Sequence, residues 1–365
     1  MRLGITGGSG FIGWHLRCLL LERPDLEVTI ANEGEFASVD SLIDFVRHCD
    51  AIIHLAGMNR GNEDVIYRTN VELAQALTDA CRKASSCPRI VFANSIQSDL
   101  DNAYGRSKRD AWEVISRWSS ESGSSCVNAV LPNVFGEHGR PFYNSVVATF
   151  CFQLANGQEP EIIEDRVVPL IHVREVVELL LNAALCGNAV ELRPCGREIR
   201  VSELLAMIKD LDTNYRMAVI PDLSDSFVRD LFNTYRSFLF PTFYPVYPKM
   251  NKDDRGELFE AVVTRSGGQA FLSTTKPGIT RGNHYHVKKF ERFLVVKGKA
   301  RIKVRRLLFE DVHEFVLDGE VPGYVDIPTL HTHNITNIGD GELITLFWAD
   351  EIFDSRAPDT YAEQV

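Results

Sequence analysis

The chain has no long apolar run: its hydrophobic residues, 45% of the total, never gather into the ~20-residue stretch that a membrane-spanning helix needs. Nor does an apolar leader precede the first strand-like pattern, Met1-Arg2-Leu3-Gly4-Ile5, so cytoplasm is the expected compartment. No Cys-x-x-Cys pair occurs; eight cysteines are scattered at 18, 49, 81, 87, 126, 151, 186 and 195, which suits reduced thiols better than a disulfide framework. Positive charge is in short supply. Thirty-nine Lys and Arg against 50 Asp and Glu give a net charge of -11, which argues against nucleic-acid and anionic-membrane partners. A local cluster of donors can still hold an anionic small molecule. Internal repeats and low-complexity tracts are absent. Cysteine stops at residue 195, whereas five of the ten histidines follow residue 280, so the chemistry changes along the chain.

A length of 365 residues suits two or three domains. Up to about residue 200, short apolar runs (Arg2–Thr6, Glu27–Ala31, Ala51–Ala56, Arg89–Asn94, Val127–Leu131) alternate with helical patterns (Gly10–Leu21, Asn70–Lys83, Tyr104–Ser120). Such alternation predicts a doubly wound parallel sheet of α/β Rossmann type. Residues 202–234 read as helical. Three prolines in Phe240-Pro-Thr-Phe-Tyr-Pro-Val-Tyr-Pro248 then mark a connector, placing the expected boundary between domains 1–243 and 244–365. Beyond it, seven or more short β-rich runs separated by Gly, Pro, Asn and Asp predict a small antiparallel barrel or jelly roll.

Thr6-Gly7-Gly8-Ser9-Gly10-Phe11-Ile12-Gly13 lies between the first strand and the first helix. Glycines there allow a tight turn, close approach of backbone to a pyrophosphate, and close packing of helix on strand. Tyr104 and Lys108, at i and i+4, share a helix face, where an ammonium would lower the phenol's pKa. Ser95, at the end of a strand, is placed to hydrogen-bond a substrate carbonyl. His54-Leu55-Ala56-Gly57, Asn70 and Pro132-Asn133-Val134-Phe135-Gly136 complete the pattern. Together these residues resemble the extended short-chain dehydrogenase/reductase family over roughly residues 1–240. The resemblance implies that Gly7, Gly10, Phe11, Ile12, Gly13, Leu55, Ala56, Gly57 and Lys108 bind a nicotinamide dinucleotide. It implies that Tyr104 donates a proton to a carbonyl that Ser95 orients, and that Asn133, with Arg140 as a further candidate, lines the sugar-nucleotide site. Ile96-Gln97 follows Ser95 in place of the acidic pair of family dehydratases, which favours reduction over elimination; Val130 replaces an Arg found in many relatives. Ile30-Ala31-Asn32-Glu33 offers neither an Asp at the strand end nor an Arg, so residue chemistry leaves NAD against NADP open.

In the second half, Gly278-x5-His284-x-His286-x4-Glu291-x6-Gly298, with His333 further on, has the residue types and spacing of a metal site suited to Zn, Fe, Mn or Ni. His331 is a candidate for a base or for a residue that supports the ligands from behind. This pattern resembles the cupin family over about residues 245–365, although Gly323 stands one residue too close to Pro328 and Leu330 takes a position often held by glycine. Asp253-Asp254-Arg255-Gly256 and Arg281-Gly-Asn-His284-Tyr285 look like the nucleotide-sugar 3,5-epimerase branch, in which the residue matching His284 is a base and Arg281 becomes a substrate candidate. A metal-bound imidazole has no free lone pair, and His286 with Glu291 favours the ligand role. The fusion as a whole resembles a family of capsular polysaccharide biosynthesis enzymes. That likeness implies a homodimer acting on a UDP-sugar with NADPH (NADH not excluded) and one divalent metal, zinc first. It further implies C3 epimerisation of a UDP-2-acetamido-2,6-dideoxy-4-ketohexose, then C4 reduction.

Overall fold

The computed structural model describes residues 1–186, 190–254 and 256–365. Arg255, from the Asp253–Gly256 motif, lies outside the described residues. Two compact units emerge: Met1–Thr149 with Ile162–Ser202, and Phe150–Glu161 with Glu203–Val365.

The first unit begins with β1 (Arg2–Thr6), α1 (Phe11–Leu20), β2 (Glu27–Ala31), α2 (Glu33–Ala37), α3 (Val39–Arg47) and β3 (Ala51–His54). It continues through α4 (Glu63–Ala84), β4 (Arg89–Ser95), a 3₁₀ turn (Ile96–Asp99), α5 (Ala103–Ser122), β5 (Cys126–Leu131) and β6 (Asn133–Phe135). After α6 (Val146–Ala155) come β7 (Val167–His172), α7 (Val173–Leu185), β8 (Glu191–Leu192) and β9 (Arg197–Arg200). Six strands form a parallel sheet in the order β2-β1-β3-β4-β5-β8. Period-two alternation sorts the side chains. Leu3, Ile5, Ile53 and Val91 face α1 and α7, while Ile52, Ile90 and Phe92 face α3, α4 and α5. The chain leaves β1 for β2 on one side and resumes with β3 on the other, so the crevice between β1 and β3 is the topological switch point where such sheets bind ligands. Helix α4 starts at Glu63, ahead of the expected Asn70. Asn62 accepts from the amides of Asp64 and Val65, and Glu63 and Asp64 sit at the positive helix end.

In the second unit the helical stretch expected over 202–234 is two helices, α8 (Val201–Arg216) and α9 (Ser226–Leu239), parted by β10 (Val219–Ile220) and Pro221. The strands that follow are β11 (Asn251–Asp253), β12 (Gly256–Leu258), β13 (Val263–Thr264), β14 (Gln269–Thr275), β15 (Thr280–Tyr285) and β16 (Glu291–Lys297). The remainder are β17 (Lys299–Arg306), β18 (Val312–Asp318), β19 (Gly323–Ile327), β20 (His331–Asn337), β21 (Leu343–Ala349) and β22 (Tyr361–Ala362). Two antiparallel sheets, β14-β21-β16-β19 and β18-β17-β20-β15-β22, share a core of Phe293, Val295, Ile302, Val304, Ile327, Ile335 and Phe347. The proline-rich connector contributes Tyr244 to that core. A buried polar network ties the helices to the sheets: Arg292 donates twice to Asp326 at 2.7 and 2.9 Å, and the Tyr215 hydroxyl donates to Asp326 at 2.5 Å. Leu330 has φ 58°, a left-handed turn that explains why glycine suits this position. Among the described residues no helix is long and apolar enough to cross a membrane.

Candidate active site and candidate metal centre

A cavity of about 380 Å³ opens in the first unit at the carboxyl ends of the parallel strands. Gly7, Gly10, Phe11, Ile12 and Gly13 line it, as do Leu55 and Gly57 from the loop after β3; Ala56 lies in the same loop without lining the cavity. Gly7 has φ 71°, and a Cβ there would stand 2.7 Å from the Ala56 amide nitrogen. At Gly13 a Cβ would meet the Gly7 carbonyl oxygen at 2.3 Å, so α1 comes this close to the loop only because both residues are glycine. The positive end of α1 therefore faces the cavity, an arrangement that receives a phosphate group.

Ser95, Tyr104, Lys108, Asn133 and Arg140 line the same cavity. Ser95 ends β4; its hydroxyl accepts from the Gln97 amide at 3.2 Å and its own amide donates to the Asn94 side chain at 2.8 Å. Asn94 in turn donates to Asn128 at 2.9 Å, and Asn128 to Glu191 at 3.2 Å, a relay that holds the strand end in place. Asn133 is fixed by donating to the Pro169 carbonyl at 3.2 Å. Lys108 is buried with its ammonium 4.3 Å from the centre of the Phe92 ring. Burial pushes its pKa down to about 7 and pushes the Tyr104 phenol up to about 12. The expected lowering of the phenol by the ammonium is not seen: the shift runs upward, its largest cause is desolvation of the phenolate, and it favours the protonated phenol, the state a proton donor requires.

The second unit brings His284, His286, Glu291 and His333 together, with one ligand atom from each lying within 4.8 Å of the others. His284 is on β15, His286 just past its end, Glu291 opens β16 and His333 is on β20. A bulge between Gly282 and His284, with Asn283 at φ 62°, interrupts simple alternation on β15. The Nε2 atoms of His286, His333 and His284 stand 3.1, 3.5 and 3.7 Å from Glu291 Oε2. His286 Nδ1 lies 2.5 Å from the Asp359 carbonyl and His333 Nδ1 lies 3.1 Å from the His331 carbonyl. Since a carbonyl only accepts, each Nδ1 is the protonated nitrogen and each Nε2 presents a lone pair. Both of these Nε2 atoms are buried without a hydrogen-bond partner, facing a carboxylate. Burial pushes His333 down to about 4, which keeps its imidazole neutral. Lone pairs meeting a carboxylate, with the imidazoles oriented from behind by carbonyls, form a donor set that fits a divalent cation.

His331 is apart from this cluster. Its ring packs 5.2 Å from Phe240, and its carbonyl orients His333. Arg281 is exposed on β15 and donates to the Thr275 hydroxyl and the Thr274 carbonyl, both at 3.0 Å. Sequence reasoning missed Asp359. Its carboxylate accepts from the amides of Val287, Lys288 and Lys289 at 3.0, 3.0 and 2.8 Å, while its carbonyl holds His286. It also missed Gly105, where a Cβ would stand 2.2 Å from the Gln97 carbonyl, so that glycine lets α5 seat Tyr104 against the 3₁₀ turn.

The glycine loop at a switch point, with Ser95, Tyr104 and Lys108 in one cavity, describes a nicotinamide-dependent enzyme, and the chain belongs to the NAD dependent epimerase/dehydratase family, whose model matches residues 3–191. Residues 251–361 match the polysaccharide biosynthesis C-terminal domain. Over 367 aligned residues the chain is 35% identical to the UDP-2-acetamido-2,6-beta-L-arabino-hexul-4-ose reductase of Pseudomonas aeruginosa, covering 99% of this chain and 98% of that one. The solved structure of the capsular polysaccharide assembling protein CapF from Staphylococcus aureus is 32% identical, with a TM-score of 0.63 and 100% of both chains covered. UDP-glucose 4-epimerase from Thermus thermophilus, in complex with NAD, shares 20% identity and a TM-score of 0.51 over 58% of this chain, a likeness of fold. The chain is thus similar over its whole length to a nucleotide-sugar reductase and to a capsular polysaccharide assembling protein.

Proposed function

We propose that the chain is a bifunctional nucleotide-sugar enzyme. It epimerises C3 of a UDP-2-acetamido-2,6-dideoxy-4-ketohexose and then reduces C4, on the route to UDP-N-acetyl-L-fucosamine. In this reading residues 1–243 carry the reductase and residues 244–365 a cupin epimerase. The observation that carries it is the half-buried Tyr104 in one cavity with the glycine loop, Ser95 and Lys108. Ser95 orients the C4 carbonyl, Tyr104 delivers the proton to its oxygen, and Lys108 holds the nicotinamide ribose; hydride reaches C4 from the reduced dinucleotide. Asn133 and Arg140 receive the sugar nucleotide, and the dinucleotide expected from the resemblance is NADPH, with NADH not excluded.

The sheet orders β14-β21-β16-β19 and β18-β17-β20-β15 support a cupin jelly roll, because the first and last strands neighbour one another in one sheet and the second and seventh in the other. His284, His286, Glu291 and His333 would hold one divalent metal, zinc by donor type, which would polarise a ketone oxygen as a Lewis acid. The C4 ketone acidifies the C3 proton through enolate stabilisation, so removal and re-addition on the opposite face inverts C3. Reduction consumes that ketone, so epimerisation comes first. Arg281 is the substrate cation proposed for this half, and a homodimer is the proposed assembly.

The test is proton–deuterium exchange at C3 of the 4-keto UDP-sugar without nicotinamide, followed by addition of reduced dinucleotide. Exchange, then oxidation of the dinucleotide, is expected. Oxidation without exchange would leave a 4-ketoreductase with a structural cupin, and neither would leave a non-catalytic scaffold.

A further inference from the structure

The adenosine end of the dinucleotide site carries an observation that the reductase reading does not use. Strand β2 is tied to the glycine loop, the Gly7 amide donating to the Ala31 carbonyl at 3.2 Å. A Cβ on Gly8 would touch the Ile30 side chain at 2.7 Å. The residues just after Ala31 therefore flank the place where a bound dinucleotide presents its adenosine ribose, since that ribose is read at the end of the second strand. What stands there is a closed polar unit: Asn32 caps α2, its side chain accepting from the Glu35 amide, while its own amide donates to Glu35 Oε2 at 2.7 Å. The amide at the strand end, a natural donor to an anion, is already taken by a carboxylate.

The surrounding charge has the same sign. Glu33 adjoins Glu35 in the first turn of α2, and α3 adds Asp40 and Asp44. The first basic residue after β2 is Arg47, whose guanidinium is 3.3 Å from Asp44. One cation approaches from α1: the Arg17 side chain runs along Gly8, its Cδ 3.5 Å from where a Cβ would be. Arg17 is thus beside the loop that receives the pyrophosphate, whereas the strand end itself is acidic.

We infer that this adenosine end is built for NADH and discriminates against NADPH, because carboxylates stand where a 2′-phosphate would have to be received. The inference rests on the reductase reading for the presence of a dinucleotide, and it adds which one. A free 2′-hydroxyl can donate to the Asn32 or Glu33 side chain. A 2′-phosphate brings roughly two more negative charges against Glu33 and Glu35 and finds the Asn32 amide occupied.

The experiment is equilibrium titration of the full chain with NADH and with NADPH by intrinsic fluorescence. It is repeated at low and high salt, with 5′-ADP and 2′,5′-ADP as fragments. Expected are at least tenfold tighter binding of NADH, a gap that narrows as salt screens the carboxylates, and no gain from the 2′-phosphate of the fragment. Glu33→Arg combined with Glu35→Gln should tighten NADPH at least tenfold and move NADH far less. Equal or tighter binding of NADPH by the unaltered chain overturns the inference; if Arg17→Ala then removes NADPH alone, Arg17 is the group that receives the phosphate. Binding of neither dinucleotide sinks the reductase reading itself, an outcome distinct from a reversed preference.

Discussion

The two sites bury polar groups to opposite ends. Around the cavity of the first unit, burial favours the neutral form: Lys108 falls to about 7, Tyr104 rises to about 12 and His54, bonded to Thr6 in the sheet, falls to about 3. No ion is required to balance them. In the histidine cluster the Nε2 lone pairs of His286 and His333 face the Glu291 carboxylate, and burial without a cation leaves acceptors facing acceptors. The first arrangement suits transfer of a proton between neutral partners, the second retention of a positive ion. The supports differ as well. The cavity is built where consecutive strands of one parallel sheet end, whereas the cluster needs three strands of two sheets and a segment near residue 359.

The contrast can be broken most forcefully at Tyr104. Tyr104→Phe should lower the rate of 4-keto reduction by about 10² to 10⁴, measured by loss of reduced-nicotinamide absorbance, while dinucleotide binding persists; an unchanged rate would remove Tyr104 from the chemistry. On the other side, His333→Ala should weaken zinc binding by more than about 100-fold, beyond the effect of an outer partner, in competition with a chromophoric chelator. Asp359→Asn should fall between that variant and the parent, weakening zinc by about 10 to 100-fold, since it disturbs the turn and the carbonyl behind His286 without removing a ligand. Affinity equal to the parent would reduce Asp359 to a loop residue.

Two smaller effects concern stability. Gly105→Ala should cost about 1–3 kcal/mol in denaturant unfolding, because its Cβ would collide with the Gln97 backbone. Lys108 gives a pH signature whose sign is fixed. Its folded pKa, about 7, lies below the ordinary lysine value of 10.5, so between these values the unfolded chain binds the extra proton and stability rises with pH. Relative to Lys108→Met, the parent should gain up to about 1.4 kcal/mol per pH unit from pH 7 towards 10. A flat difference would mean that the ammonium is not desolvated.

Much of the first site was legible because its parts are local. Gly7, Gly10 and Gly13 lie within one turn and the first turn of a helix, and Tyr104 and Lys108 are one helical turn apart. The sign of the phenol's shift was not legible, since pairing is visible in spacing whereas desolvation depends on Phe92 and the walls of the cavity. In the second site the ligand types and their order could be read from His284, His286, Glu291 and His333. The strands β15 and β20 that carry His284 and His333 were not among the apolar runs, because Thr280–Tyr285 and His331–Asn337 are polar stretches whose pairing, not composition, makes them strands. The helix expected over 202–234 was divided for a similar reason: an apolar period continues through Val219–Ile220, and pairing with Val263–Thr264 turns it into a strand.

By itself the sequence determined the alternation of strands and helices in the first unit, the glycine loop, the Tyr–Lys pair and the close-set ligands His284, His286 and Glu291, since each depends on neighbours a few residues away. Only the tertiary structure decided the direction in which burial shifts Tyr104 and Lys108, the tautomers of His286 and His333, and the place of Asp359 behind the cluster. Those depend on desolvation and on hydrogen bonds between residues as much as 73 positions apart, and no local pattern records either.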